Sequence, residues 1–76
     1  MIDNMREAIS SVQHDIWSHW MKYLFSVSVE NEDGSVTIPA EKVIRWQRQM
    51  NTSYWDLTEK ERESDRSQAD KVIGVL

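Results

Sequence analysis

Apolar residues in the first third of the chain recur every three or four positions, and this spacing constrains the fold more than any other feature of the sequence. Positions with that spacing share one face of an α-helix. The residues concerned are Met5, Ile9, Val12, Ile16, Trp20, Tyr23, Leu24 and Val27. The pattern predicts a first helix over residues 3–24. Residues 25–29 alternate as a strand does, so the sequence leaves open whether the helix continues past Leu24.

Turn and capping signals divide the rest of the chain. Asp33-Gly34 is typical of a tight turn, and it predicts a short β-hairpin or extended pair from residues 26–29 and 36–38. Pro39 suits the start of a second helix over residues 40–50. Thr58 and Glu61 have the spacing of a capping box, which predicts a third helix over 59–73. The expected fold is a mainly α, three-helix small domain with the hairpin between helices 1 and 2.

The length of the chain predicts one domain, residues 1–76, with a thin core. A chain of this size buries only about 60% of the surface of its unfolded state. Its four tryptophans therefore matter for stability, because each supplies a large apolar area. The residues expected in the core are Ile9, Val12, Ile16, Trp20, Leu24, Val43, Trp46, Leu57, Ala69, Val72 and Ile73.

The charge pattern excludes several classes of protein. Nine basic and 13 acidic residues are interspersed and give a net charge of −4. Binding to nucleic acid requires a positive face, so no nucleic-acid partner is expected. No apolar run is long enough to cross a membrane, and the first residues lack the apolar core of a signal peptide. Without cysteine, the chain suits the reducing cytoplasm, which is the expected location.

No arrangement of residues in the sequence calls for catalysis or a metal. His14 and His19 are five positions apart, so on a helix their side chains diverge by about 140° and do not form a helical metal pair. The chain has only two glycines and no glycine-rich phosphate loop. We therefore expect a protein that is not an enzyme and that has no cofactor and no metal site.

The tryptophans off the core face are the candidate binding residues. Trp17 lies about 90° from the apolar stripe of the first helix, and Trp55 sits in a connector among polar residues. An exposed tryptophan can cover the edge of the core, or it can be a platform on which a planar ligand stacks. The sequence leaves both interpretations open.

The first half of the third helix has no apolar residue. Its charged residues, from Glu59 to Arg66, have the spacing of ion pairs on a solvated face. The alternative is that Asp65 or Arg66 turns inward and forms a structural ion pair with helix 1 or 2. Such a pair would give this polar stretch a means of docking.

Two segments resemble the RyR domain, a repeat of ryanodine receptors that also occurs in short bacterial and phage proteins. Residues 14–17 (HDIW) look like the start of its first helix. Residues 54–66 (YWDLTEKERESDR) look like the block that precedes its last helix, with Asp65-Arg66 in place. The resemblance covers about residues 9–73. The middle of this chain departs from the family, because residues 30–39 lack its usual turn.

The resemblance implies a small helical module that holds a nucleotide-like molecule against a tryptophan. Trp17 would be the stacking residue here, flanked by His14. Arginines that could hold phosphates, and an aromatic residue near them, complete the expected ligand-binding set: Arg48, Tyr54, Arg62 and Arg66.

Two hypotheses for function follow from the sequence. The first is a module that recognises a nucleotide-derived small molecule, as an accessory or counter-defence protein of a bacterium or phage. The alternative is a protein–protein interaction module that uses an exposed Trp17 or Trp55, or a homodimeric helical scaffold.

Overall fold

The computed structural model describes residues 2–76 and contains the three helices and the hairpin that the sequence predicts. Helix α1 spans Ile2–Val27, strands β1 and β2 span Val29–Glu30 and Val36–Thr37, helix α2 spans Ala40–Met50 and helix α3 spans Glu59–Ile73. A single 3-10 turn, Tyr54–Asp56, connects α2 to α3. The mainly α fold with a hairpin between helices 1 and 2 is therefore confirmed.

Helix α1 continues through the segment whose alternation suggested a strand. The Ser26 hydroxyl donates to the Tyr23 carbonyl and the Ser28 hydroxyl donates to the Leu24 carbonyl, both at 2.7 Å. The Ser28 bond gives a partner to one of the last four carbonyls of the helix, which its end otherwise leaves without intrahelical partners. The helix ends at Val27, and only Val29 of the alternating segment joins the hairpin.

The hairpin turns through residues 31–35 and stands largely in solvent. Gly34 has a φ of 89°, a left-handed conformation that glycine adopts without strain. The Asp33 carboxylate accepts hydrogen bonds from both the backbone and the hydroxyl of Ser35. These bonds, the hydroxyl bond first, lower the pKa of Asp33. The local turn signals are thus sufficient to form this element, although both of its valines are exposed.

Helix α3 begins with the predicted capping box. The Thr58 hydroxyl accepts from the Glu61 backbone N–H, and the Glu61 carboxylate accepts from the Thr58 backbone N–H. Both partners lie within four residues of each other, which is why the sequence predicts this start correctly.

Helix α3 turns a different face to the core from the one that the sequence predicts. Ala69 and Ile73 are exposed, and Gln68 is buried with Val72 half-buried beside it on the inner face. Ala69 and Ile73 continue the helix face that carries the charged residues Glu59, Arg62, Glu63 and Arg66. That face turns to solvent, so the neighbouring face of α3 packs towards α1.

The three helices pack as an open arrangement with little core. Val12, 9% exposed, is the only buried apolar residue among the described residues. The chain exposes 6256 Å², whereas a compact protein of this mass exposes about 4,900 Å². Its radius of gyration is 15.5 Å, against about 11 Å for a compact chain of this length. The fold therefore leaves an unusually large surface in contact with solvent, and exposed large apolar side chains such as Met50 and Trp55 form part of it.

Candidate functional site

A cleft is bounded by α1, α2 and the start of α3. It has a volume of about 950 Å³ and is open to solvent. Its apolar lining is aromatic and aliphatic: Trp20, Met21, Tyr23, Leu24, Trp46, Met50 and Leu57. Its polar lining includes His19, Arg45, Gln49, Lys60, Glu61 and Asp65. We call this surface the cleft.

A row of aromatic rings crosses the cleft from α1 to α2. His19 meets Trp20 edge-on at 4.8 Å between ring centroids, Trp20 meets Tyr23 at 6.4 Å, and Tyr23 meets Trp46 at 6.2 Å. These are favourable edge-to-face distances. The rings connect two helices that otherwise touch little, so they hold the cleft in shape.

A hydrogen bond supports this row at its α2 end. Arg45 donates to the Tyr23 hydroxyl at 3.0 Å. This bond lowers the pKa of Tyr23, with a smaller effect from the positive charge of Lys42. Arg45 thus positions the Tyr23 ring against Trp46, and it also brings a positive charge to the rim of the cleft.

An ion pair closes the other side of the cleft. Arg48 on α2 donates to the Glu61 carboxylate on α3, the same carboxylate that caps α3 through Thr58. The Arg48 bond is the largest cause, and the Thr58 backbone bond the second, of the fall in the pKa of Glu61 to about 2. One carboxylate therefore both begins α3 and fastens it to α2.

The other arginines of the expected ligand-binding set have partners on their own helix. Arg62 pairs with Glu59 at 2.9 Å, and Arg66 pairs with Glu59 at 2.6 Å and with Glu63 at 3.0 Å. These bonds raise the pKa of Arg66, with a smaller contribution from Tyr54. This group of charges lies on the outer face of α3, which we call the charged face.

The prediction that Asp65 or Arg66 turns inward and pairs with helix 1 or 2 is therefore wrong. Arg66 finds both carboxylates on α3 itself, because residues three and seven positions apart lie on the same helix face. Asp65 lines the cleft, but its side chain is exposed and takes part in no ion pair within the described residues. The ion pair that docks α3 is Arg48–Glu61.

A second apolar surface runs along the outside of α1. Trp17, Met21 and Phe25 are spaced by four residues and line a shallow depression of about 430 Å³ with Ser18 and Lys22. Trp17 is 55% exposed and Phe25 is 59% exposed. We call these three residues the α1 ridge.

His14 stacks on the α1 ridge at its start. Its ring lies 5.8 Å from that of Trp17 and is nearly parallel to it, with an angle of 25°. The structure thus brings His14 and Trp17 together, one helical turn apart. The depression beside Trp17 is lined by α1 alone, so Arg48, Tyr54, Arg62 and Arg66 do not line it. The expected ligand-binding set is therefore not brought together at Trp17. Each of its three arginines is instead bonded to a carboxylate elsewhere.

Sequence reasoning missed the residues that complete both surfaces. Met21 and Phe25 follow Trp17 at four-residue intervals, so their spacing was a visible signal of a second apolar row. Arg45 and Met50 line the cleft from α2, and nothing local in the sequence indicates that contact. Trp55 is 79% exposed and meets Tyr54 edge-on, outside both surfaces.

The described residues form neither a metal site nor a membrane-spanning helix. Within residues 2–76, no three histidine or acidic side chains come together as metal ligands would. No helix in that range has the length and apolar character needed to cross a bilayer. Comparison of the chain with protein-family models, curated proteins and solved structures finds no match.

Proposed function

We propose that this chain is a non-catalytic protein-interaction module of the cytoplasm, which holds an apolar helix of a partner protein in the cleft. The observation that carries the proposal is the apolar surface left exposed by the open packing of three helices. The chain exposes about 1,400 Å² more surface of all kinds than a compact protein of its mass, and large apolar side chains such as Trp17, Phe25 and Met50 are each more than half exposed. Contiguous exposed apolar patches mark interaction sites in soluble proteins.

The shape and lining of the cleft favour a helix over a small molecule. At about 950 Å³, it lies at the upper end of the range for small-molecule sites, roughly 300–1,000 Å³, and it is open along its length. Trp20, Trp46 and Leu57 offer an apolar floor, and Arg45 and Lys60 lie at its rim. A groove of this kind suits the apolar face of an amphipathic helix.

The three arginines expected to hold phosphates are already paired with carboxylates. A nucleotide needs cationic donors for its phosphates. Arg48, Arg62 and Arg66 are each bonded to a glutamate, so a phosphate would have to compete with a carboxylate already in place.

A nucleotide-derived ligand is the second candidate, and one observation favours it. Trp17 is exposed, with the His14 ring stacked beside it, and a planar base could stack on the free face of such a pair. The resemblance to the RyR domain points the same way. We keep this candidate so that the two can be separated by experiment.

Site-specific photocrosslinking tests the protein-interaction function. A benzophenone amino acid replaces Gln49, which lines the cleft, or Glu32, which is exposed in the hairpin turn. We expect a discrete cross-linked protein from position 49 and none from position 32 in the cells that make the chain. Equal cross-linking from both positions, or none from position 49, would contradict the proposal.

Thermal-shift measurements against a panel of nucleotides and cyclic nucleotides test the second candidate. A ligand present at about 100 times its dissociation constant stabilises a protein by about 2.7 kcal/mol. We expect no such shift. A shift in the wild type that Trp17→Ala removes, without unfolding the chain, would establish the nucleotide function instead.

A further inference from the structure

We propose that the α1 ridge is a self-association surface, across which two copies of this chain pack α1 against α1 in antiparallel orientation. This goes beyond the function proposed for the cleft, because the ridge is a different surface that shares only Met21 with it. Three features of the ridge favour a second copy of the chain as its partner. They are the exposure of Trp17 and Phe25, the way that the ridge residues match under a two-fold axis, and the charges along the edge of the ridge.

Two residues of the ridge, Trp17 and Phe25, are more than half exposed, whereas Met21 also lines the cleft. Val12, which is buried, lies on the opposite side of α1, so Trp17 and Phe25 face away from the buried side of this helix. Trp17 and Phe25 are eight residues apart, which places them about 12 Å apart along the helix. Rows of side chains with four-residue spacing fit into the grooves of a second helix of the same kind.

An antiparallel pair with its two-fold axis near Ser18 and His19 gives every residue of the ridge a suitable neighbour. Trp17 then faces Met21 of the second copy, and His14 faces Phe25 of the second copy. Each large ring is thus matched with an apolar or aromatic side chain. Ser18, near the axis, is small enough to allow close approach of the helices.

The charges beside the ridge are complementary under the same symmetry. Asp15 and Lys22 are seven residues apart and lie on one edge of the ridge. In an antiparallel pair about a two-fold axis, the same edges of the two helices meet. Asp15 of each copy therefore faces Lys22 of the other.

A standard dimer interface buries about 800 Å² per partner. The ridge contributes the exposed parts of Trp17 and Phe25, which are 55% and 59% exposed, and we expect other exposed residues along α1 to supply the rest of such an interface.

Charge reversal tests the arrangement. Asp15→Lys alone and Lys22→Glu alone each place like charges opposite one another twice per dimer. We expect each to weaken the dimer by about tenfold in sedimentation equilibrium, since two exposed pairs turn from attractive to repulsive. A mixture of the two variants restores all four complementary charges, and we expect it to form a heterodimer of wild-type affinity. Glu32→Lys and Lys71→Glu, at exposed positions away from the ridge, are the matched controls and should leave association unchanged.

The wild type should sediment with twice the 9.0 kDa mass of the chain. A monomer at every concentration that stays in solution would overturn the proposal, and so would a dimer that tolerates both single reversals. Either result leaves the cross-linking test of the cleft intact, because Gln49 does not belong to the ridge. The two proposals can therefore fail separately.

Discussion

The charged face of α3 and the α1 ridge are both outer faces of helices, yet they differ in whether their side chains find partners on the same helix. On the charged face, Arg62 and Arg66 each bond to a glutamate on the same helix, although the Nε of Arg62 is buried without a hydrogen-bond partner among the described residues. Most of the charge on this face is therefore paired locally and tolerates water. On the ridge, Trp17 and Phe25 remain more than half exposed, and the depression beside them is lined by residues of α1. A charged side chain can find a partner one or two helical turns away, whereas an apolar side chain is buried only when a second surface covers it, and within residues 2–76 these two rings remain largely uncovered.

The largest effect should come from the apolar side, where Trp46 connects α2 to α1. Trp46→Ala removes the ring that meets Tyr23, and we expect it to cost about 3 kcal/mol, at the low end for tryptophan truncation because the side chain is half-buried. Trp55→Ala is the matched control, since Trp55 is exposed in the connector, and should cost less than about 1 kcal/mol. Urea denaturation gives both values. Equal losses from the two variants would show that the aromatic row does not hold the cleft.

The next largest loss of stability should come from the cap at the start of α3, where the charged face begins. Thr58→Ala removes the hydroxyl that accepts from the Glu61 N–H, and helix caps of this kind contribute about 1 kcal/mol. Thr52→Ala, whose hydroxyl donates to the Arg48 carbonyl at the end of α2, is the comparison and should cost less. A Thr58 variant as stable as the wild type would mean that α3 does not depend on its cap.

Acid should weaken the junction between α2 and α3. The pKa of Glu61 is lowered from 4.5 to about 2, so the carboxylate stabilises the fold above pH 4.5 and this contribution is lost as the pH falls towards 2. Glu61→Gln should flatten the fall in urea midpoint over that pH range. Glu41→Gln, at an exposed carboxylate of α2, should retain it. If Glu61→Gln shows the same pH profile as the wild type, the Arg48–Glu61 pair does not couple the helices.

The smallest loss of stability should come from a substitution in the middle of the charged face. Arg66→Ala removes bonds to Glu59 and Glu63, but all three side chains are exposed and screened by water. We expect a shift in urea midpoint smaller than that of Thr58→Ala, and a smaller one still at high salt. A loss as large as that from Trp46→Ala would contradict the view that this face is satisfied without being essential.

Local signals in the sequence predicted what local contacts decide. The period of α1, the turn at Gly34 and the capping box at Thr58 all depend on residues a few positions apart, and the structure confirms them. The prediction that Ala69 and Ile73 belong to the core was wrong. Which face of α3 turns inward depends on its packing against α1, and the sequence of α3 alone does not indicate that packing. The Arg48–Glu61 pair joins residues 13 positions apart on different helices, which no local pattern indicates.

The candidate site was predictable only in part for the same reason. The position of Trp17 off the apolar stripe follows from helical geometry, and its four-residue spacing to Met21 and Phe25 was visible in the sequence. Whether another element covers that row depends on the path of the chain after α1. The aromatic row from His19 to Trp46 likewise requires α2 to return to α1.

The most direct test of the whole account is fluorine NMR of the chain labelled with 5-fluorotryptophan, recorded over a dilution series and then with nucleotides. The four resonances are assigned by single Trp→Phe variants. We predict that the Trp17 resonance moves with protein concentration, that the Trp55 resonance does not, and that nucleotides change neither. A Trp17 resonance that is independent of concentration, or one that moves only when a nucleotide is added, would contradict the claim that protein covers the α1 ridge.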